Sequence, residues 1–410
     1  MRRARAAIAA CHALLSERGE ISGAILSVDA INTYRLLDGG GREAFFDLLV
    51  DVFAPDPAVL HAAIEAYCES RSHITLLRLQ QAAESPRQEL FRRLNLAPDG
   101  TAALLALRSD VLRTLQDRPE RVVIDADLVH LFRSWFNRGF LVLERIEWRT
   151  SALVLERLIE YEAVHAIQGW GDLRRRLQAD RRCYAYFHPA LPDEPLIFIE
   201  VALTRGMSSQ VQPLLDAEAP VIDPQRADCA VFYSITNCQD GLRSVSFGNF
   251  LIKQVVEDLG SKFPKLRTFA TLSPIPGFQR WLSSAGRDRV SPALAALLDS
   301  SDLRSGLTGL ADSSPLRTEL LSLCAHYLMN AKSGDAPLDS VARFHLANGA
   351  ALQRLNWMGD SSDAGIGRSL GLMVNYVYRL ADVERNHEAY ARHHRIIASR
   401  EFDRHVKRAG

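Results

Sequence analysis

The segment Phe232-Tyr-Ser-Ile-Thr-Asn-Cys-Gln-Asp-Gly-Leu-Arg-Ser-Val-Ser-Phe-Gly-Asn-Phe-Leu-Ile-Lys-Gln-Val255 decides the fold class of the half of the chain in which it lies. Its opening β-branched and aromatic run predicts a strand, and its end carries apolar residues at helical spacing. A glycine-marked loop joins the two. Strand, loop and helix in this order are the unit of an α/β domain. The same layout suits a phosphate, because loop N–H groups and the unpaired N–H groups at a helix start, with the positive end of its dipole, attract an anion. Most strand-to-helix turns hold nothing, so the loop gains meaning from its company.

Outward from this segment, short β-rich runs at Cys183–Phe187, Leu196–Leu203, Ala230–Ile235 and Arg267–Leu272 alternate with helical stretches. A helical insert is predicted from Pro292 to Ala331, with Ser314 and Pro315 as cap and first turn. Two last strands, Leu352–Met358 and Leu372–Tyr378, precede a polar terminal helix starting near Asp382. Residues 4–168 instead keep a helical period almost throughout, as in Leu128, Leu131, Phe132, Trp135 and Phe136. Asp38-Gly-Gly-Gly41, Ala54-Pro-Asp-Pro57 and Ala97-Pro-Asp-Gly100 punctuate these helices. The expected architecture is therefore multidomain: an N-terminal all-α helical bundle, 1–168, and a C-terminal α/β domain, 169–410, meeting at Gln168-Gly-Trp-Gly171.

Composition narrows the function classes. Lys plus Arg equals Asp plus Glu at 49 each, so no basic field for nucleic acid exists. Arg174, Arg175, Arg176, Arg181 and Arg182 form a local cluster, but interleaved Asp172 and Asp180 favour a solvated helix face. The six cysteines show no Cys-x-x-Cys pair and fit reduced, buried thiols in a cytoplasmic protein. No apolar run approaches the ~18 residues of a membrane span. His387, His393, His394 and His405 lie on one predicted helix, without the Cys or carboxylate partners of a zinc site. Gly365-Ile-Gly-Arg-Ser-Leu-Gly371 precedes a strand rather than opening a helix, so it reads as a turn.

Three further motifs accompany the opening segment: Leu272-Ser-Pro-Ile-Pro-Gly-Phe278, Phe344-His-Leu-Ala-Asn-Gly349 and Glu194-Pro-Leu-Ile-Phe-Ile-Glu-Val-Ala-Leu-Thr204. Asn356-Trp-Met358 and Gly371-Leu-Met-Val-Asn-Tyr376 join them. On residues alone, Ser273 is either a cap of the next helix or a hydroxyl held at the carboxyl edge of a sheet, where α/β folds place ligands. His345 is either a hydrogen-bonded core histidine or a proton carrier. With these motifs the chain resembles the malonyl-CoA decarboxylase family, from about Cys183 to Tyr378, and its helical part fits more loosely.

The resemblance implies a catalytic domain similar to the acetyltransferase (GNAT) fold. The cofactor loop of that superfamily reads Arg/Gln-x-x-Gly-x-Gly, a frame that falls here on Arg243, Ser246 and Gly248, with serine in place of the first glycine. It implies a carboxy-lyase converting malonyl-CoA to acetyl-CoA and carbon dioxide. Catalytic roles fall to Ser273 and His345, the latter as proton donor. Coenzyme A would lie against Arg243, Ser244, Val245, Ser246, Phe247, Gly248 and Asn249. No cofactor is obligatory, since the thioester itself delocalises the carbanion. The helical part is expected to build a homo-oligomer, with no nucleic-acid or membrane partner. A CoA-dependent acyltransferase and a non-catalytic CoA-sensing scaffold are the rival readings.

Overall fold

Helices run from Arg2 to Trp135, and their starts explain the punctuation. Asp38 accepts the Gly41 N–H at 2.7 Å, Asp56 caps a helix whose first residue is Pro57, and Ser72 and Thr75 form a capping box. The computed structural model describes residues 2–245 and 251–409. Contacts divide these into a helical unit, 2–142 with 187–196 and 237–245, and a sheet unit, 143–186 with 197–236 and 251–409. Within the helical unit Phe45, Phe46, Leu49, Phe91, Leu104, Val111, Leu128 and Phe132 are buried. Each contributes about 1.5–3 kcal/mol relative to exposure.

The sheet unit is built on one eight-stranded sheet: β1 (Val142–Ile146), β2 (Arg181–Phe187), β3 (Ile197–Thr204), β4 (Cys229–Asn237), β5 (Thr268–Thr271), β6 (Ser273–Pro274), β9 (Ala351–Asn356) and β10 (Met373–Val377). A separate small hairpin supplies β7 (Lys332–Ser333) and β8 (Ala336–Pro337). The order is β1-β2-β3-β4-β5-β10-β6, with β9 also on β10. The sheet is mixed, because β2 and β3 are antiparallel, β4 and β5 parallel, and β10 antiparallel to β5, β6 and β9. One face holds Ala202, Val231, Tyr233, Ala270, Leu272, Met373 and Val377 in a continuous apolar cluster. The alternate residues of the same strands belong to the other face.

Several local expectations change. Residues 143–168 group with the sheet rather than the helices, since β1 is an edge strand and buried Glu162 accepts hydrogen bonds from Ser234 and Thr236 on β4. The arginine cluster is not a solvated face. Arg175, Arg176, Arg181 and Arg182 are all buried, and only Arg174 is exposed, its guanidinium over the Trp148 ring. The interleaved acids are the reason: Asp180 pairs with Arg175 at 2.7 Å and Arg181 at 2.9 Å, and Arg176 reaches Asp172 at 3.0 Å and Glu200 at 2.8 Å.

Gly365–Gly371 is not a turn but mostly the short helix Asp363–Ser369, capped by Ser362. The terminal helix is two, Leu380–His393 and Arg400–Ala409, separated by His394 in the left-handed region, so His387 and His393 lie on the first and His405 on the second. Cys68 is exposed, while the other five cysteines are buried. Ser314 stands at the start of the helix Pro315–Asn330 without a side-chain capping bond.

Candidate active site

Ser273 and His345, 72 residues apart in sequence, meet: Ser273 Oγ and His345 Nε2 are 3.1 Å apart, and both residues are buried. Ser273 comes from β6, directly continuing β5, and faces Val374 of β10 across the ladder. Thr271, two residues earlier, lies on the same face. His345 comes from the helix Ser340–Ala347, which Asp339 caps by accepting the Ala342 N–H at 2.9 Å. The helix stops at Asn348-Gly349. Gly349 has φ +81°, and a Cβ there would lie 2.2 Å from the Val383 carbonyl oxygen, so only glycine fits.

Asp339 also fixes the distance between the two elements. Besides capping its own helix it accepts the Tyr327 hydroxyl at 3.4 Å, and the Gly277 N–H of the Ser273-Pro-Ile-Pro-Gly277 loop lies close enough to favour its charged form. Burial pushes its carboxyl up, and these hydrogen bonds oppose the shift. The Gly277 position leaves no room for a side chain, since a Cβ would stand 2.2 Å from the Tyr327 hydroxyl.

A chain of hydrogen bonds sets the proton positions. Ser273 donates to Thr271 Oγ1 at 2.8 Å, and that oxygen also accepts the Tyr376 N–H at 3.1 Å. With its proton committed, Ser273 Oγ accepts from His345 Nε2–H, and Nδ1 is left to accept from the Tyr378 hydroxyl at 2.8 Å. The Tyr376 ring stacks on the imidazole at 4.5 Å between centroids. Burial lowers the His345 pKa to about 3 and raises that of Tyr378, so the imidazole is neutral and the phenol protonated.

Beneath the pair, β10 shifts register between Asn375 and Tyr376. The Asn375 carboxamide crosses to the Thr271 carbonyl at 2.6 Å and is itself held by Asn356 at 2.9 Å. Thr271, Asp339, Asn375 and Tyr378 thus belong to the site, although sequence reasoning assigned them no role there. The signal was present for two of them: Thr271 and Ser273 share a strand face, and Tyr376 and Tyr378 share the matching face opposite.

The loop expected to hold the coenzyme is described only in part. Arg243 is exposed, Ser244 has φ +65° and Val245 is buried. Ser246, Phe247, Gly248 and Asn249 lie outside the described residues. Just before it, Gly241 packs on the helix Gly100–Thr114, its carbonyl accepting from Arg108 at 2.6 Å. The helix Leu251–Lys262 follows. Elsewhere, His188 Nε2 bonds the Trp135 carbonyl at 3.1 Å and His326 Nδ1 bonds the Asn330 side chain, contacts without a second reactive group. No group of metal-ligating side chains occurs among the described residues.

Comparison with known proteins finds relatives along almost the whole chain. Residues 139–410 match the malonyl-CoA decarboxylase C-terminal domain and residues 53–136 its N-terminal domain. The mitochondrial malonyl-CoA decarboxylase of Anser anser anser is 36% identical over 417 residues, covering 91% of this chain and 81% of its own, and that of Rattus norvegicus is 36% identical over 82% and 74%. Solved malonyl-CoA decarboxylases from Rhodopseudomonas palustris and Agrobacterium vitis superpose with TM-scores of 0.92 and 0.89 at 48% and 45% identity. They cover 98% and 97% of this chain, and it covers 99% and 98% of theirs. With its sheet-borne Ser273–His345 pair and matches over nearly its whole length, the chain belongs to the malonyl-CoA decarboxylase family.

Proposed function

We propose that Ser273 and His345 carry out the decarboxylation of malonyl-CoA to acetyl-CoA and carbon dioxide in this carboxy-lyase. The observation that carries the assignment is their 3.1 Å contact, backed by Tyr378 and Thr271. The bond between the carboxylate carbon and the methylene carbon breaks, its electron pair enters the thioester as an enolate, and one proton is then taken up at carbon. The site must therefore hold a carboxylate, stabilise an oxyanion and supply that proton.

A neutral imidazole fits a role as electrophile and donor. Its Nε2–H points at Ser273 Oγ, and a substrate carboxylate arriving beside it raises its affinity for the proton the reaction consumes. Ser273 Oγ, already accepting from Nε2–H, orients the reacting group against the imidazole. Tyr378 fixes the tautomer by donating to Nδ1.

The coenzyme diphosphate is assigned to the 243–249 loop. Support comes from the exposed Arg243, the left-handed Ser244 and the helix that follows. Assembly into a homo-oligomer is assigned to the helical part. The helices Pro57–Glu69 and His73–Ala83 bury no residue of their own, yet carry Val59, Ile64, Ile74, Leu76 and Leu77 at 39–66% exposure. No helix among the described residues is long and apolar enough to cross a membrane. A cytoplasmic location is the reading for this chain, while the curated relatives above are mitochondrial.

The deciding assay supplies malonyl-CoA to the purified protein with no acyl acceptor and follows acetyl-CoA and carbon dioxide. Stoichiometric release of both supports the assignment when His345→Asn abolishes it. Acyl transfer to an added amine without carbon dioxide would make the chain an acyltransferase, and binding without turnover would make it a sensor.

A further inference from the structure

The helical unit contains a cavity of about 440 Å³ that the decarboxylation does not use. Its polar wall is organised around one buried carboxylate. Asp110 accepts the Tyr34 hydroxyl at 2.9 Å and Arg42 Nη1 at 2.8 Å, and it pairs with Arg113 as well. Arg35 adds a third guanidinium to the lining. Ala102, Ala103 and Ala106, on the same helix as Asp110 and Arg113, add a small apolar stretch to the lining beside them.

Three guanidiniums against one carboxylate leave two positive charges over. Tyr34 does not alter this balance, because burial pushes its phenol up to about 12 and keeps it a neutral donor to Asp110. Asp110 has spent its oxygens on these donors and positions the arginines instead of competing for a ligand. Each guanidinium has five N–H groups, and most remain available. Arg42 is the clearest case: one Nη bonds Asp110, its carbon lies 5.6 Å from the Tyr34 ring centre, and its Nε–H is buried with no partner. With Nε and one Nη held in place, the remaining N–H groups of this fork are fixed for an acceptor oxygen.

We infer that this cavity is a second, non-catalytic site for a small organic dianion, either a dicarboxylate or a phosphate monoester. The charge excess matches two negative charges, and planar guanidinium forks accept carboxylate or phosphate oxygens two at a time. The volume lies within the ~300–1,000 Å³ of small-molecule sites, larger than a bare inorganic anion requires. The alanine methyls give a short carbon body an apolar surface to lie on. The site is independent of the assignment of Ser273 and His345.

The test is calorimetric titration of the full-length protein, at constant ionic strength, with succinate, glycerol 3-phosphate and the monoanion acetate. At least one dianion should bind ten times more tightly than acetate, and which of the two does so identifies the source of the second charge. Arg113→Gln and Ala106→Trp should each weaken that binding at least tenfold, while turnover of malonyl-CoA without added dianion stays at the wild-type level. Both positions are exposed, so neither substitution disturbs the core. Dianions that bind no better than acetate, or binding that both variants leave intact, would overturn the inference.

Discussion

Strands β2 and β3 and the helical pair Pro57–Glu69 and His73–Ala83 stand at opposite extremes of burial. Every residue of both strands is buried, including Arg181, Arg182 and Glu200, whereas neither helix buries a single residue. Hydrophobicity does not separate them. The strands hold charges inside and the helices hold Ile74 and Leu77 outside. What separates them is partnership: each of these buried guanidiniums has a carboxylate, a carbonyl or an aromatic face against it, while the helical pair packs chiefly on itself. Burial of charge follows from a completed hydrogen-bond network, and exposure of apolar surface from a missing neighbour.

The largest effect should come from the buried polar pair at the centre of the sheet unit. His345→Asn is expected to lower kcat by roughly 10²–10⁴-fold with little change in coenzyme affinity, the range for a positioned acid or base. Ser273→Ala should also lower kcat and raise KM. His188→Asn and His326→Asn serve as controls, because their ring nitrogens bond no second reactive group. Equal losses in all three histidine variants would remove His345 from the chemistry.

Next in size is the ionic layer beneath. Arg176→Leu removes the partner of Glu200, which has no exposure to water, and should cost about 3–5 kcal/mol of stability in denaturant unfolding. Replacing both Arg176 and Glu200 by apolar residues should recover much of that loss. If the single substitution proves neutral, burial of these charges does not depend on pairing, and the contrast with the helices loses its basis.

Tyr378→Phe should reduce kcat by about fivefold, since it removes one hydrogen bond, worth about 1 kcal/mol, that sets the His345 tautomer. It should leave KM unchanged. His345 also gives the fold an acid sensitivity whose sign is fixed. Its folded pKa is about 3 against an ordinary ~6.5, so between these values the unfolded chain binds a proton that the folded chain does not. Stability therefore falls as pH drops through that window, and His345→Asn should flatten the curve of unfolding free energy between pH 4 and 6. An unchanged slope would mean that the imidazole is protonated in the folded protein.

The sequence carried the element types well where local chemistry writes them. Asp38, Asp56 with Pro57, and Asn348 with Gly349 mark helix ends through capping and the left-handed region, and each is an end in the structure. It carried Ser273 and His345 because their flanking motifs resemble a family, not because spacing joins residues 72 apart. Asp339 and Asn375 escaped, since each acts through a tertiary contact that leaves no local pattern. The arginine cluster misled for the same reason: alternating charge looks identical whether water or Glu200 neutralises it. The loop from Ser246 to Asn249 is legible in sequence and lies outside the described residues.

The smallest effect on folding, and a sharp one on assembly, is expected on the other side of the comparison. Ile64→Glu and Leu77→Glu change residues that are 43% and 53% exposed on helices with no buried position. Surface substitutions of this kind shift stability by about 0.5 kcal/mol or less. If the apolar surface is covered in solution by a second copy, a charge at its centre meets its own symmetry mate across an isologous contact, and like charges there oppose association. Light scattering should then show the wild type as a dimer or larger at micromolar concentration and the double variant as a smaller species, with an unfolding midpoint close to wild type when both are compared well below the dissociation constant. Addition of a reductant should change neither mass, because no disulfide joins the cysteines. A wild-type monomer across that range would leave the helical pair without a self-partner and return its exposed leucines and isoleucines to the ordinary apolar share of a protein surface.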